Sequence, residues 1–194
     1  MFIKKIQLYA ILLLLFSTAG CKNEAINNPD IEDAVLDVFL ENTEPLLTKF
    51  KEVNIIGEGD VDFSIGIDNQ EDAGLYYIDL YAYDSKYEFL GYYDSGDEVI
   101  KNMEKDTDIQ PSDTIWGPFS PLHYLILNSD DGSVVREFGF TDIGDQYIAF
   151  RKKNSAGGYF YGWMLVNIER SKKVTIKEYA LHKIADTPIK AGEK

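Results

Sequence analysis

From residue 61 onward, apolar and polar positions alternate with a period of two. In VDFSIGID, Val61, Phe63, Ile65 and Ile67 share one side while Asp62, Ser64, Gly66 and Asp68 share the other, the pattern of a strand with one buried face. LYYIDLYAY (75–83) repeats it, setting Tyr76, Ile78, Leu80 and Ala82 against Tyr77, Asp79, Tyr81 and Tyr83. Further strand-like runs lie at 87–93, 122–128, 134–140, 146–152, 159–169 and 173–181. Turn clusters separate them, among them Asp94-Ser95-Gly96-Asp97, Asn128-Ser129-Asp130-Asp131-Gly132 and Ser155-Ala156-Gly157-Gly158. Short, closely spaced strands without interleaved helices predict an all-β fold, an antiparallel β-sandwich whose jelly-roll-like or Ig-like topology the pattern leaves open. Residues 98–105 are expected to add one or two helical turns. Residues 31–41 read two ways: Ile31, Ala34, Val35, Val38 and Phe39 have helical spacing behind an Asp30 cap, whereas Leu36, Val38 and Leu40 alternate as a strand does. The alternation tips the reading towards strand.

One run departs from simple alternation. In YFYGWMLVNIE, Tyr159, Tyr161, Trp163 and Leu165 face one way and Phe160, Gly162, Met164 and Val166 the other, so both faces are apolar and the segment predicts a central strand. Gly162 marks either a bulge or a place where a neighbouring aromatic ring lies over the backbone. Trp163 is then a core anchor, the alternative being a stacking platform for a sugar.

The N-terminus carries a different pattern. Lys4 and Lys5 precede an apolar run from Ile6 to Phe16 and then Ser17, Thr18, Ala19 and Gly20, the three parts of a secretory signal over residues 1–20. The run is about half of the roughly 20 residues that span a bilayer. Thr-Ala-Gly-Cys resembles the lipobox of bacterial lipoproteins, with Thr18 where leucine is commonest. The resemblance implies that Cys21, the single cysteine, becomes the first mature residue and carries acyl chains. Two or more chains hold a protein stably on a membrane at about 0.8 kcal/mol per buried CH₂. Lys22-Asn23-Glu24 loosely resembles the signal that sends some Bacteroidota lipoproteins to the outer face of the outer membrane, so the expected location is the outer membrane, on its surface or its periplasmic face. Residues 21–33, with the turn cluster Asn27-Asn28-Pro29-Asp30, are expected to form a tether, and 34–194 a single domain.

Charge narrows the partners. The chain carries 33 acidic against 19 basic residues, a net charge of −14, and loss of Lys4 and Lys5 with the signal makes it −16. Such a surface repels phosphate backbones, which excludes nucleic acid as a partner. With Cys21 used for lipid there is neither a disulfide nor a cysteine nucleophile.

GDQYIAFR (144–151), YFYGWMLVNI (159–168) and VTIKEYALHKIADTPIKAG (174–192) resemble the end of a β-rich domain of secreted bacterial proteins, an uncharacterised family with Tyr-Gly-Trp and Thr-Ile-x-x-Tyr-Ala motifs. The likeness extends faintly to GEGDVDFSI (57–65). It implies a β-rich fold and no particular activity.

Candidate chemistry is sparse. Tyr77, Tyr81, Tyr83 and Trp116 are candidate rings for stacking a glycan, since amphipathic aromatics suit ligands with one apolar face. Asp60, Asp62 and Asp68 are weak calcium candidates, as are Asp94 with Asp97 and Glu98 and Asp130 with Asp131; none completes a loop that supplies six to eight oxygens. No cofactor is otherwise expected. His123 and His182 belong to no nucleophile or metal motif. The reading that remains is a lipid-anchored envelope protein that binds a glycan or another envelope protein without catalysis. The alternatives are a glycoside hydrolase working through paired carboxylates and a structural subunit of a surface complex.

Overall fold

The alternating segments become strands because each pairs in the register that keeps its apolar set inward. A computed structural model describes residues 28–42, 48–55, 61–83, 85–113, 115–170 and 172–194. Its strands in chain order are β1 (Ile31–Glu41), β2 (Thr48–Val53), β3 (Phe63–Gln70), β4 (Leu75–Ala82), β5 (Tyr87–Asp94), β6 (Asp97–Ile100), β7 (Asn102–Met103), β8 (Asp108–Ile109), β9 (Trp116–Gly117), β10 (Pro121–Leu127), β11 (Val134–Gly139), β12 (Asp145–Lys153), β13 (Tyr159–Glu169), β14 (Lys173–His182) and β15 (Ile189–Lys190). One turn of 3₁₀ helix, Glu71–Ala73, is the only helix among the described residues. Cys21 and Asp60 lie outside the described residues.

The strands form an antiparallel sandwich. The larger sheet runs β1-β14-β13-β12-β5-β6, with β7 on β12 and β9 on β5, and the smaller runs β11-β10-β4-β3-β2. Between them Phe63, Ile65, Ile67, Ile78 and Leu80 of the smaller sheet meet Phe89, Ile148, Phe150, Met164, Val166 and Ile176 of the larger. Each such side chain, fully buried, contributes about 1.5–3 kcal/mol of transfer free energy.

The larger sheet is apolar on its outer face too, and there the chain covers itself. Tyr161, Trp163, Ala149 and Ala180 pack under Ile109, Ile189 and Ala191, residues in and beside the two-stranded pair β8–β15. Trp163 is fully buried, and its indole Nε1 donates to the Glu193 carbonyl at 3.1 Å. Ala191 N–H donates to the Thr107 carbonyl at 2.9 Å, and Asn28 N–H to the Lys194 carbonyl at 3.1 Å. Trp163 is therefore a core anchor, and β13, between β12 and β14, is central as its two apolar faces require.

Residues 31–41 form a strand, paired with β14 from Ile31↔His182 to Glu41↔Lys173 with a bulge between Val35 and Val38, where Asp37 takes φ 45°. Ile31, at the start of β1, is buried on the outer face of the larger sheet. The helical turns expected over 98–105 do not form. Glu98, Val99 and Ile100 pair with β5, and Val99 and Ile100 are buried, so strand pairing outweighs local propensity.

Gly162 resolves as the second of its two readings. It pairs opposite Phe150, and a Cβ there would lie 2.7 Å from that ring and 2.5 Å from the Ala180 carbonyl oxygen. Gly162→Ala should destabilise the domain by about 1–3 kcal/mol through overpacking, read as a lower urea midpoint with an unchanged slope; an unchanged midpoint would show that the ring does not press on the backbone.

Candidate functional site

Among the described residues the outer face of the smaller sheet has no covering layer like that over the larger one, and alternation decides what it displays. From β4 come Tyr77, Asp79 and Tyr81, whose neighbours Ile78 and Leu80 point into the core. Register then places Tyr124 of β10 opposite Tyr77 and Phe138 of β11 opposite Tyr124. The three rings form a row with centroids 4.3 and 4.6 Å apart, and the Tyr77 hydroxyl donates to that of Tyr124 at 3.1 Å. Such cross-strand aromatic pairs stabilise a sheet by a few tenths to about 1 kcal/mol each.

The row floors an open pocket of about 400 Å³. Its walls are Gly96, Asp97 and Glu98 from the β5–β6 hairpin on one side and Pro118, Ser120 and Pro121 on the other. Arg136 holds the hairpin: its guanidinium pairs with Asp97, donates to the Asp94 carbonyl at 3.1 Å and lies 5.2 Å from the Phe138 centroid. The Tyr93 hydroxyl donates to Glu98 Oε1 at 3.4 Å.

A second aromatic patch lies towards the opposite edge of the same face. Phe50 of β2 pairs opposite Gly66 and lies over it, since a Cβ on Gly66 would come within 2.9 Å of its ring; Tyr81 is 6.5 Å away. Between the two patches lies Asp79, only 8% exposed, which accepts the Tyr81 hydroxyl at 2.9 Å. Burial lifts its carboxyl to about 6, the Tyr81 bond opposing and the Asp68 charge adding to the shift. Burial, then the bond to Tyr124, likewise holds the Tyr77 hydroxyl above the usual tyrosine value.

The ring residues predicted from the sequence do not gather at one place. Tyr77 and Tyr81 share this face, but only Tyr77 lines the pocket, and Tyr83 lies beyond the end of β4, 60% exposed. Trp116 sits on the opposite outer face of the sandwich, because β9 pairs with β5 and sets it opposite Leu90. There the Arg151 guanidinium lies 4.9 Å from its centroid and 3.9 Å from that of Tyr159, held by an Nε bond of 2.6 Å to Glu88. That cation takes the place a sugar would need. Tyr124 and Phe138 were missed; each lies in a run recognised as a strand, but nothing local tells which residues of another strand stand beside Tyr77.

The calcium candidates are also dispersed. Asp62 accepts Ile55 N–H at 2.9 Å and the Tyr87 hydroxyl at 2.5 Å, while Asp68 accepts the Thr48 hydroxyl at 2.7 Å and the Gln70 amide at 2.8 Å. Six residue steps of extended chain separate them, roughly 20 Å at about 3.3 Å per residue, so they cannot share an ion. The Asp131 carboxylate accepts Ser133 N–H at 2.9 Å within its turn. Among the described residues no three His, Cys, Asp or Glu side chains are grouped to hold a metal. His123 is buried, with Nε2 3.0 Å from Glu137 Oε1, and burial lowers its pKa. His182 Nδ1 accepts Ile184 N–H at 3.1 Å.

Comparison with family models, with curated proteins and with solved structures finds no match to this chain.

Asp79 gives a pH test of the face. Its folded value, about 6, stands above its ordinary 3.8, so the folded state holds the proton more tightly. The stability linked to that proton is complete below the ordinary value and is lost as pH rises through about 6. Asp79→Asn, which can still accept the Tyr81 hydroxyl, should therefore be more stable than the wild type at about pH 8, by on the order of 1–3 kcal/mol, and no more stable near pH 4. Urea denaturation at the two pH values checks this; a constant difference would mean that Asp79 is not desolvated.

Proposed function

We propose that this protein is a lipid-anchored component of the bacterial cell envelope that binds a glycan, without cleaving it, in the aromatic pocket of its smaller sheet. The observation that carries the reading is the register-matched row Tyr77, Tyr124 and Phe138 at the floor of an open pocket walled by carboxylates and a serine. A sugar ring offers one apolar face to stack on such rings and a rim of hydroxyls to donate to carboxylates, and pockets of this size with few polar groups suit ligands of that kind.

Two further features agree. The lipobox-like Thr18-Ala19-Gly20-Cys21 puts the anchor before the domain. The described chain begins at Asn28, bonded to Lys194 in the layer over the larger sheet, on the side of the sandwich opposite the pocket. A lipid anchor leading into that layer would turn the pocket away from the membrane.

Binding is favoured over hydrolysis by the position of the carboxyls. A general acid must hold its proton within reach of the glycosidic oxygen, and Asp79, whose pKa is raised to about 6, does not line the pocket. Asp97, which does, is paired with Arg136.

A second partner class, another envelope protein, is favoured by one observation. β11 is an edge strand of the smaller sheet and leaves Val134 and Val135 more than half exposed. Photo-crosslinking from position 135 in intact cells should capture a neighbour if that edge is used.

For the glycan reading, the full chain in detergent is applied to a panel of glycans. Retention of at least one, weakened about tenfold by Tyr124→Ala with the far-ultraviolet circular dichroism unchanged, is expected from the loss of one stacking ring. Release of reducing ends, or retention indifferent to Tyr124, would overturn it.

A further inference from the structure

The pocket has a sign as well as a shape. Among its described lining residues none is Lys, Arg or His; of its two carboxylates Asp97 is paired with Arg136, and Glu98 gives the wall its negative charge. Asp68 stands directly opposite Tyr77 on β3, so the floor ring has a carboxylate beside it on the outer face. An anionic sugar brought there meets like charge, and a neutral one gains only stacking and hydrogen bonds. A cation gains twice: from the Tyr77 ring at the end of the row, worth about 0.5–1 kcal/mol when exposed and more when desolvated, and from the Glu98 carboxylate on the wall.

The molecule builds this combination elsewhere from its own side chains. The Arg151 guanidinium lies over Tyr159 and Trp116 while bonded to Glu88, and that of Arg136 lies over Phe138 while paired with Asp97. In both, one cation is held between ring faces and a carboxylate. The pocket offers the same elements in the Tyr77 and Tyr124 rings and the Glu98 carboxylate, on a surface open to a ligand.

We infer that the pocket selects a protonated amine, so that the glycan it takes is a cationic amino sugar with its nitrogen not acetylated. The inference rests on the glycan reading above and adds the charge of the ligand to it. The amine enters over the Tyr77–Tyr124 rings with Glu98 as its counter-ion, and the sugar ring stacks beside it. N-acetylation removes the charge and with it the preference.

Calorimetric titration of the full chain in detergent, at mildly acidic pH where the amines carry protons, tests this with three probes: a glucosamine tetrasaccharide, an N-acetylglucosamine tetrasaccharide and a galacturonate tetrasaccharide. The free-amine oligomer should bind about tenfold more tightly than the acetylated one, and the galacturonate should not bind. Glu98→Gln, at an exposed hairpin position, should bring the two glucosamine-based ligands to within about twofold of each other by weakening the free-amine oligomer more than the acetylated one, and Glu98→Lys should invert the order. Equal affinity for the two oligomers, or tightest binding of the galacturonate, would overturn the charge selection and leave the glycan reading standing. Failure of all three to bind while a tetralysine peptide binds would overturn both.

Discussion

The constraint on which the rest of the structure depends is that the larger sheet is apolar on both faces. β13 sets Met164, Val166 and Ile168 against the smaller sheet and Tyr161 and Trp163 to the outside. A strand of that kind is stable only if both sides are kept from water. One side is covered by a second sheet, as in any sandwich. The other is covered by β8, β15 and the residues after them, fixed by the Trp163 indole on the Glu193 carbonyl, by the Lys194–Glu178 ion pair and by the backbone bond from Asn28 to Lys194. Glycines let the layers close up: Phe150 lies over Gly162, and Phe119 over Gly91 and Gly117.

This division makes the two outer faces unequal. On the larger sheet, aromatic rings are consumed as core or as seats for the protein's own cations, as Trp116 is under Arg151. On the smaller sheet the inward set, Phe63, Ile65, Ile67, Ile78 and Leu80, already meets the core's needs, and the outward set is free to be aromatic and acidic. Residues there that are larger or more apolar than solubility requires serve folding only through their cross-strand pairing, not through the core. That is why the candidate site is placed on this face and not beside either tryptophan.

How much could be read in advance follows from the range of the physics involved. Strands were legible wherever one face is core and the other solvent, because that difference is written at every second residue; β4, β5 and β10 through β14 lie within a residue or so of the expected runs. At β1 the signal was mixed, since a bulge at Asp37 and half-buried positions on an edge strand bring Val35 and Phe39, both exposed, into apparent helical spacing with Ile31. β8 and β15 are two residues each, too short for any period to show. The segment 98–105 was misread because Val99 and Ile100 owe their strand state to Tyr92 and Gly91, residues of another strand. The faces were legible for the same reason as the strands, and so Tyr77, Asp79 and Tyr81 were grouped from the outset. Their partners were not: Tyr77 and Tyr124 are 47 residues apart, and only sheet order makes them neighbours.

The same limit explains why composition gave no guide to the ligand. A net charge of −14 describes the surface as a whole and disfavours polyanions, but it does not distinguish a neutral sugar from a cationic one. That distinction is local and depends on where the few cations stand. Lys51 and Lys173 lie over Phe39, Lys152 over Tyr87, Arg151 over Tyr159 and Trp116, and Arg136 over Phe138. Each of these placements takes a positive charge to a ring outside the Tyr77–Tyr124 pair. Because a ring face attracts cations whatever their origin, aromatics and acids that fold together without a cation of their own leave a potential that a ligand can satisfy. In this chain the β4–β10–β11 register gathers Tyr77, Tyr124 and Phe138 at a pocket whose one neighbouring guanidinium, Arg136, is kept to Phe138 and Asp97, and under the proposed reading the arrangement of the cations, more than their number, sets the charge of the ligand.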